Sequence, residues 1–447
     1  MNLSTPAFLD GKNSRLHGLK QVLSSRKLLT SYFVAVTALM LFQHSMGWNW
    51  DFSVYSLNAQ YLFQDGIYME WLRPPMVPAI LGLLQFVFPT ALSEYVYIVL
   101  TSTFFLYSCK RLCDSHDLDL TPVYILFFSP VAVFFASLNG SELLFTCFLA
   151  LFLADFRESK AGLWMALAIL TRYTGFILLP LALLQRKPSK IVKTFILSFV
   201  VVLPWLAFNY FTLGHPLASV ASNFALNSVE RGISEVFNPI NLFVMTGIAS
   251  LGTLNYLKDV EFSFQDRILL ALSALIILRQ FATGMKEIRY LFDLSIPVAL
   301  LGWKGFRELD IDLERSLVLL AGIYLIVSAA GIAIYTANHS PEFYSQVASD
   351  TGDCLTVSNQ WAQLSYTGTP TGPMDFRTEE QYLEADYKIV SFEEGNYTIR
   401  GDECREGKFN STYVERLHRA HDKAQYCQYT VIDTCWLEDI VGIDTGP

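Results

Sequence analysis

Charge is what this chain has least of. Only 16% of its 447 residues are Asp, Glu, Lys or Arg, against about a quarter in soluble domains. That shortage, with a mean hydropathy of +0.35, excludes an ordinary soluble domain and indicates a polytopic membrane protein. The net charge is -9, and no basic stripe exists to meet a phosphate backbone, so nucleic acid is not an expected partner. No His/Cys spacing resembles a metal site, and there is neither a phosphate-cradling glycine loop nor a nucleophile elbow. The first apolar span ends at Met46 without a small-residue cleavage pattern, so a retained anchor is expected rather than a cleaved signal peptide. The two halves of the chain show no internal repeat.

What is abundant is hydrocarbon and aromatic surface. Hydrophobic residues make up 52% and aromatics 14%, with 34 Phe, 22 Tyr and 8 Trp, a composition suited to interfacial belts. Apolar runs near 20 residues mark spans, and Lys and Arg in short loops mark the cytoplasmic side. Together they predict about eleven spans, with the amino terminus inside and the carboxyl terminus outside. The first span is Leu28–Met46, followed by an outer loop Gly47–Pro75. Met76–Pro89 is bounded by prolines and too short to cross, so it reads as a juxtamembrane or re-entrant helix on the outer face. Leu92–Cys109 ends at Lys110 and Arg111, and Thr121–Ser137 returns to the outer turn Leu138–Glu142. Ala161–Leu184 is broken at Thr171–Gly175, with Arg172 at its outer tip; broken helices at membrane depth are tolerated where they line a cavity. Ile191–Phe211, a long outer loop Gly214–Pro239, a return to Leu257, Ile268–Ala282, Leu291–Leu301 and Leu317–Tyr335 complete the ladder.

The organisation expected is a cytoplasmic segment 1–27, a membrane-embedded catalytic domain 28–336, and a small extracytoplasmic α/β or mostly β domain 337–447. The last is polar, with short alternating stretches such as Tyr387–Ser391. It holds Cys354, Cys404, Cys427 and Cys435, an even count that suggests two disulfides; four cysteines allow three pairings. Asn338, Asn396 and Asn410 head glycosylation acceptor patterns. Cys109, Cys113 and Cys147 fall in or beside spans and read as packing residues.

This topology gathers one polar set on the outer side: Asp51, Asp65, Arg73, Glu142, Arg172, Lys286, Glu287 and Arg289. Ionisable residues at membrane depth are costly and usually face a cavity that serves a site. Lysines and arginines near span ends also snorkel to the interface, which explains Lys110 or Arg186 well and Arg172, between apolar arms, poorly. Asp51 follows Gly47-Trp-Asn-Trp50 just outside the first span, where a carboxylate borders both hydrocarbon and water. There it suits a general base for a sugar hydroxyl, a role worth about 10²–10⁴-fold. A partly apolar pocket is expected to raise its proton affinity. Arg172, Lys286 and Arg289 suit a clamp for a departing lipid phosphate.

In order along the chain, Asp51, Tyr55 and Ala59, then Asp65-Gly66, then Arg73-Pro74-Pro75 resemble the first outer loop of the GT-C superfamily of integral-membrane glycosyltransferases. So do Ser129-Pro130, Ser141-Glu142, Leu170-Thr171-Arg172-Tyr-Thr-Gly175, Asn209…Gly214-His-Pro216 and Lys286-Glu287-Ile-Arg289-Tyr290-Leu291. That superfamily includes dolichyl-phosphate-mannose mannosyltransferases and lipid A aminoarabinose transferases. The resemblance covers roughly residues 28–336. It implies a GT-C type helical membrane fold and an inverting hexosyltransferase acting on the outer face of the membrane. Asp51 would be the catalytic residue. Tyr55, Asp65, Arg73, Glu142, Arg172, Lys286, Glu287, Arg289 and Tyr290 would bind substrate.

The implied partners are a dolichyl- or polyprenyl-phosphate sugar (mannose the first candidate), a glycan or glycoprotein acceptor, and membrane lipid. No cofactor is implied, the lipid-linked sugar being a substrate. Many members follow the loop aspartate with a second acid, and this chain has Phe52, which favours a metal-independent reaction while leaving a divalent metal open. The phrase Val357–Trp361 resembles outer domains of archaeal members. An archaeal cell membrane and an endoplasmic reticulum membrane both satisfy the topology. The alternative from another class is a transporter or flippase of polyprenyl-linked glycans, whose site would lie nearer the midplane. A third reading makes the tail a surface binding module.

Overall fold

The computed structural model describes residues 10–228, 239–258, 261–282, 287–309, 313–336, 340–374, 378–393, 395–407 and 409; side chains 1–24, 225–228, 282 and 313–314 stand outside that description. The helices run α1 (Asp10–Met46), α2 (Trp50–Phe63), α3 (Met76–Gln85), α4 (Thr90–Ser115), α5 (Leu120–Phe127), α6 (Pro130–Leu138), α7 (Glu142–Ala154) and α8 (Ala161–Thr171). A 3₁₀ turn (Tyr173–Ile177) leads to α9 (Leu178–Ala182), α10 (Pro188–Leu213), α11 (Ala218–Ser228), α12 (Ile240–Thr246), α13 (Ala249–Tyr256) and α14 (Phe264–Ala282). A second 3₁₀ turn (Ile288–Leu294) opens α15 (Ser295–Phe306), and α16 (Leu313–Thr336) follows.

Among the described residues, three helices are long and apolar enough to cross a membrane, in α1, α10 and the α16 segment. The helices α5 and α6 reach that length and apolarity only as a pair, bent by 77°, the shape of a broken span or a re-entrant loop. The bend has a local cause. Ser129 leaves the helical conformation, its hydroxyl caps α6 by accepting from Ala132 N at 3.2 Å, and Pro130 takes the first helical position. Other apolar runs fold as the short helices α3, α7 and α8.

Side chains on the outside of α10 (Val192, Ile196, Phe199) and α16 (Leu319, Ile326, Ile334) are exposed and apolar, as hydrocarbon solvent permits. Inside, Phe105, Phe127, Phe128 and Tyr124 interlock, with Phe105 and Phe127 ring centroids 4.4 Å apart. Helices α13 and α15 approach backbone to backbone. A Cβ at Gly252, Gly302 or Gly305 would collide with a facing main-chain carbonyl, the small-residue contact that lets membrane helices pack closely.

Two segments expected as outer loops contain helices. α2 lies within Gly47–Pro75, and α11 within Gly214–Pro239. α2 begins because Asn49 caps it, its side chain accepting from Asp51 N at 2.9 Å.

The tail forms α17 (Pro341–Thr351), β1 (Thr356–Ser358), α18 (Trp361–Tyr366), β2 (Thr371–Pro373), α19 (Glu379–Leu383), β3 (Lys388–Glu393) and β4 (Asn396–Arg400). The sheet order is β2-β1-β3-β4. β1 pairs parallel with both neighbours, and β3 with β4 antiparallel. Parallel neighbours require helical crossovers, which α18 and α19 supply. Cys354 and Cys404 form a disulfide, while Cys427 and Cys435 lie outside the described residues. Cys109, Cys113 and Cys147 are free and buried. Asn396 is exposed at the start of β4; Asn338 and Asn410 lie outside the described residues.

The α/β unit does not stand apart. Val54 and Leu57 of α2, and Tyr68 beyond it, share one apolar cluster with Leu355, Val357, Trp361 and Ile389. Trp50 meets Trp361 edge-on, centroids 5.5 Å apart. The Tyr68 hydroxyl donates to Thr371 O at 2.5 Å, and burial pushes its ionisation up to about 12, so it stays a donor.

Candidate active site

Helix α2 has two working faces. Trp50, Val54 and Leu57 pack under the tail sheet. Asp51 and Tyr55 instead line a cavity of about 330 Å³, within the range usual for small-ligand sites. The cavity's opposite wall comes from the break after α8 (Arg172, Tyr173, Phe176), from Val220 and Phe224 on α11, and from Arg289 and Tyr290 on the second 3₁₀ turn. The wall therefore combines apolar side chains with arginines.

Asp51 sits at the centre of the charges. Its Oδ1 lies 2.7 Å from Arg73 Nη2, and its Oδ2 accepts from Arg289 Nη1 at 2.6 Å. Arg73 also pairs with Glu70 through Nε and lies over the Tyr55 ring at 5.6 Å. Glu70 is itself pinned to α2: its N donates to Asn58 Oδ1 at 2.8 Å, and Asn58 Nδ2 returns a bond to Glu70 O at 3.2 Å. Arg289 pairs with Glu287 through Nε at 2.5 Å and donates to Asn139 Oδ1 at 3.4 Å.

Asn139 joins the two halves of the network. Its Nδ2 donates to Glu142 Oε1 at 3.1 Å, and Glu142, 1% exposed, is ion-paired with Arg172. Arg172 also donates to Ser141 Oγ at 3.2 Å. The turn that presents Asn139, Ser141 and Glu142 depends on Gly140, at φ +79°, where a Cβ would press on Phe52 at 2.9 Å. A further pair, Arg279 with Asp293 at 3.3 Å, borders the same cavity. Arg279 also donates to Tyr290 O, so it ties down the turn that carries Arg289.

The structure thus brings Asp51, Tyr55, Arg73, Glu142, Arg172, Arg289 and Tyr290 to one cavity, with Glu287 held at its edge by Arg289. Asp65 is exposed and is not among the cavity residues. Lys286 lies outside the described residues. The expectation of a raised proton affinity for Asp51 is overturned. Burial does push it up, but Arg73 and Arg289 outweigh burial and hold its carboxyl well below the usual carboxylate range. Arg172 and Arg289 are not free clamps either, since each already holds a carboxylate.

Four residues of the network were not picked out from sequence: Glu70, Asn139, Arg279 and Asp293. For Arg279 and Asp293 a signal existed, an ionisable residue within an apolar span.

No family model matches the chain, and no curated protein sequence matches it. Its backbone, however, superposes on the crystal structure of ArnT from Cupriavidus metallidurans bound to undecaprenyl phosphate. The TM-score is 0.63 at 10% sequence identity, over 81% of this chain and 92% of that one. This chain shares its fold with ArnT. The likeness supports the mostly helical architecture expected from the sequence, and the apolar helices fit an integral membrane protein.

Proposed function

We propose that this protein is an inverting glycosyltransferase. It moves a hexose, mannose being the first candidate, from a dolichyl- or polyprenyl-phosphate donor to a hydroxyl of a glycan or glycoprotein on the outer face of the membrane. The observation that carries this reading is the ArnT fold joined to a cavity in which Asp51 faces Arg73 and Arg289. ArnT was crystallised with undecaprenyl phosphate, a lipid of the donor's chemistry.

In the proposed reaction the acceptor oxygen attacks the anomeric carbon from the face opposite the phosphate. Its proton passes to the Asp51 carboxylate. The bond from the anomeric carbon to the phosphate oxygen breaks, and its electron pair leaves with the lipid phosphate. Arginines around the cavity stabilise that charge as it develops.

Asp51 paired with two arginines is a weak base. The donor phosphate supplies the remedy, because it competes for the same guanidinium groups. When Arg289 turns toward phosphate, Asp51 loses one counter-ion and its proton affinity rises in the loaded site alone. Glu142, fixed by Arg172 and Asn139, would orient a sugar hydroxyl. Phe176, Val220 and Phe224 offer the lipid an apolar wall.

The test uses purified protein in liposomes with dolichyl-phosphate [¹⁴C]mannose and a membrane glycolipid extract. Label in a new, alkali-stable product supports transfer. If mannose and glucose donors are both inert while labelled lipid crosses the bilayer, the transporter reading replaces this one.

A further inference from the structure

A second cavity lies at the other end of the helix bundle. It has a volume of about 260 Å³ and is bordered by Arg157, Arg186, Lys187 and Lys190 around the rings of Phe156 and Phe264. Helix α10 begins here at Pro188 and reaches the Asp51 cavity region at Trp205, which donates to the Tyr173 hydroxyl at 2.9 Å. The 18 helical steps from Lys187 to Trp205 span about 27 Å at 1.5 Å per step, so the two cavities are separate.

Among the described residues, no acid neutralises the charges of this second cavity. The nearby acids are already taken: Asp155 pairs with Arg111 at 3.0 Å and Lys160 at 3.1 Å, and Glu158 with Lys160 at 3.3 Å. Among the described residues, Arg157, Arg186, Lys187 and Lys190 make no ion pair. The two arginines are exposed, and each also lies over one aromatic ring. The Arg186 guanidinium lies 4.4 Å from the Phe264 ring centroid, and that of Arg157 lies 5.8 Å from the same ring. These ring contacts favour positions of both forks beside the cavity. No side chain caps the first turn of α10, whose amide dipoles add positive potential at the same place.

The surroundings identify the source of the anion. α10 is one of the helices long and apolar enough to cross a membrane, so its first turn lies at a membrane surface. Directly beyond the cations its exposed side chains are Val192, Lys193, Ile196, Phe199 and Val200, and Leu183 and Leu184 are exposed as well. A ligand seated here meets cations at one end and a hydrocarbon-facing strip along its length.

We propose that this cavity is a binding site for an anionic phospholipid. The phosphodiester is held by Arg157 and Arg186, with Lys187 and Lys190 adding charge, and the acyl chains lie along α10. The site is independent of the glycosyl-transfer reading.

Native mass spectrometry of the full chain in detergent tests it, with dioctanoyl-phosphatidylglycerol against dioctanoyl-phosphatidylcholine. The anionic lipid should bind about tenfold or more tightly than the zwitterionic one, since each basic residue near an anionic headgroup contributes about 1 kcal/mol. Arg157→Gln/Arg186→Gln should remove most of that preference, while Lys110→Gln, an exposed control, keeps it. Phe264→Leu, which leaves every charge in place, should weaken binding several-fold by freeing the two forks. Equal binding of the two lipids, or a double variant indistinguishable from wild type, would overturn the proposal. Competition by glycerol 3-phosphate as strong as by the lipid would overturn it too, in favour of a free phosphate ligand.

Discussion

Arg73 spans two carboxylates, with Nη2 2.7 Å from Asp51 Oδ1 and Nε paired to Glu70. Since Glu70 is fastened to α2 through Asn58, one guanidinium sets the position of the proposed base relative to the loop that follows its own helix. Arg289 holds the other Asp51 oxygen, so the carboxylate has no freedom to rotate in the unloaded site.

The first prediction concerns pH. Asp51 is held below the ordinary carboxylate range by its two arginines. A group with a depressed pKa stays ionised as pH falls through the ordinary range, and its ion-pair stabilisation persists there until its own low pKa is reached. The acid limb of kcat/KM therefore does not arise from free-enzyme Asp51. In Arg73→Met one counter-ion is gone and burial weighs more heavily, so an acid limb due to Asp51, absent from wild type, should appear in kcat/KM. A profile from pH 4 to 8 on both proteins decides this; superimposable acid limbs would refute the counter-ion account.

The second concerns Glu142 and Arg172. Removing one partner of a buried pair leaves an uncompensated charge and costs about 3–5 kcal/mol. Arg172→Leu should lower thermal stability sharply. Glu142→Leu/Arg172→Leu should recover a large part of that loss without recovering activity. Equal melting temperatures for single and double variants would show that the pair is not coupled.

A third follows from the tail's contact with α2. Trp361 packs on Trp50, one residue before Asp51, and on Tyr68. Trp361→Ala should destabilise the tail by about 3 kcal/mol. It should also lower kcat more than it raises KM, because the base is displaced rather than the donor site. Trp361→Phe should restore most of kcat. An unchanged kcat in the alanine variant would separate the tail from the chemistry.

The fourth is redox-dependent. The disulfide joins residues 50 apart, and a loop of that size stabilises by about 4 kcal/mol in the chain-entropy model. Cys354→Ser, or reduction of the wild type, should bring tail unfolding to lower temperature while the helical domain melts as before. A single unchanged transition would count against this.

The charges at span ends were legible in sequence because hydrocarbon makes them costly: Asp51, Arg73, Arg172 and Arg289 stand out where polar residues are scarce. α2 was not legible as a helix. Residues 52–59 are buried throughout, since one face meets the cavity and the others meet the tail and the bundle. A helix covered on all sides carries no polar stripe and therefore no period to read. Arg279 and Asp293 were absorbed into apolar runs, being single charges in otherwise hydrophobic stretches. The low proton affinity of Asp51 was unreadable for a different reason. It depends on two arginines 22 and 238 positions away, and burial alone argues for the opposite sign.

The most direct test of the account is the Asp51→Asn variant beside wild type, assayed for sugar transfer from a dolichyl- or polyprenyl-phosphate donor, with binding of the lipid phosphate measured on the same samples. The account predicts transfer reduced by at least about 10²-fold, with insertion, folding and lipid-phosphate binding retained. Transfer at the wild-type rate in Asp51→Asn would contradict it.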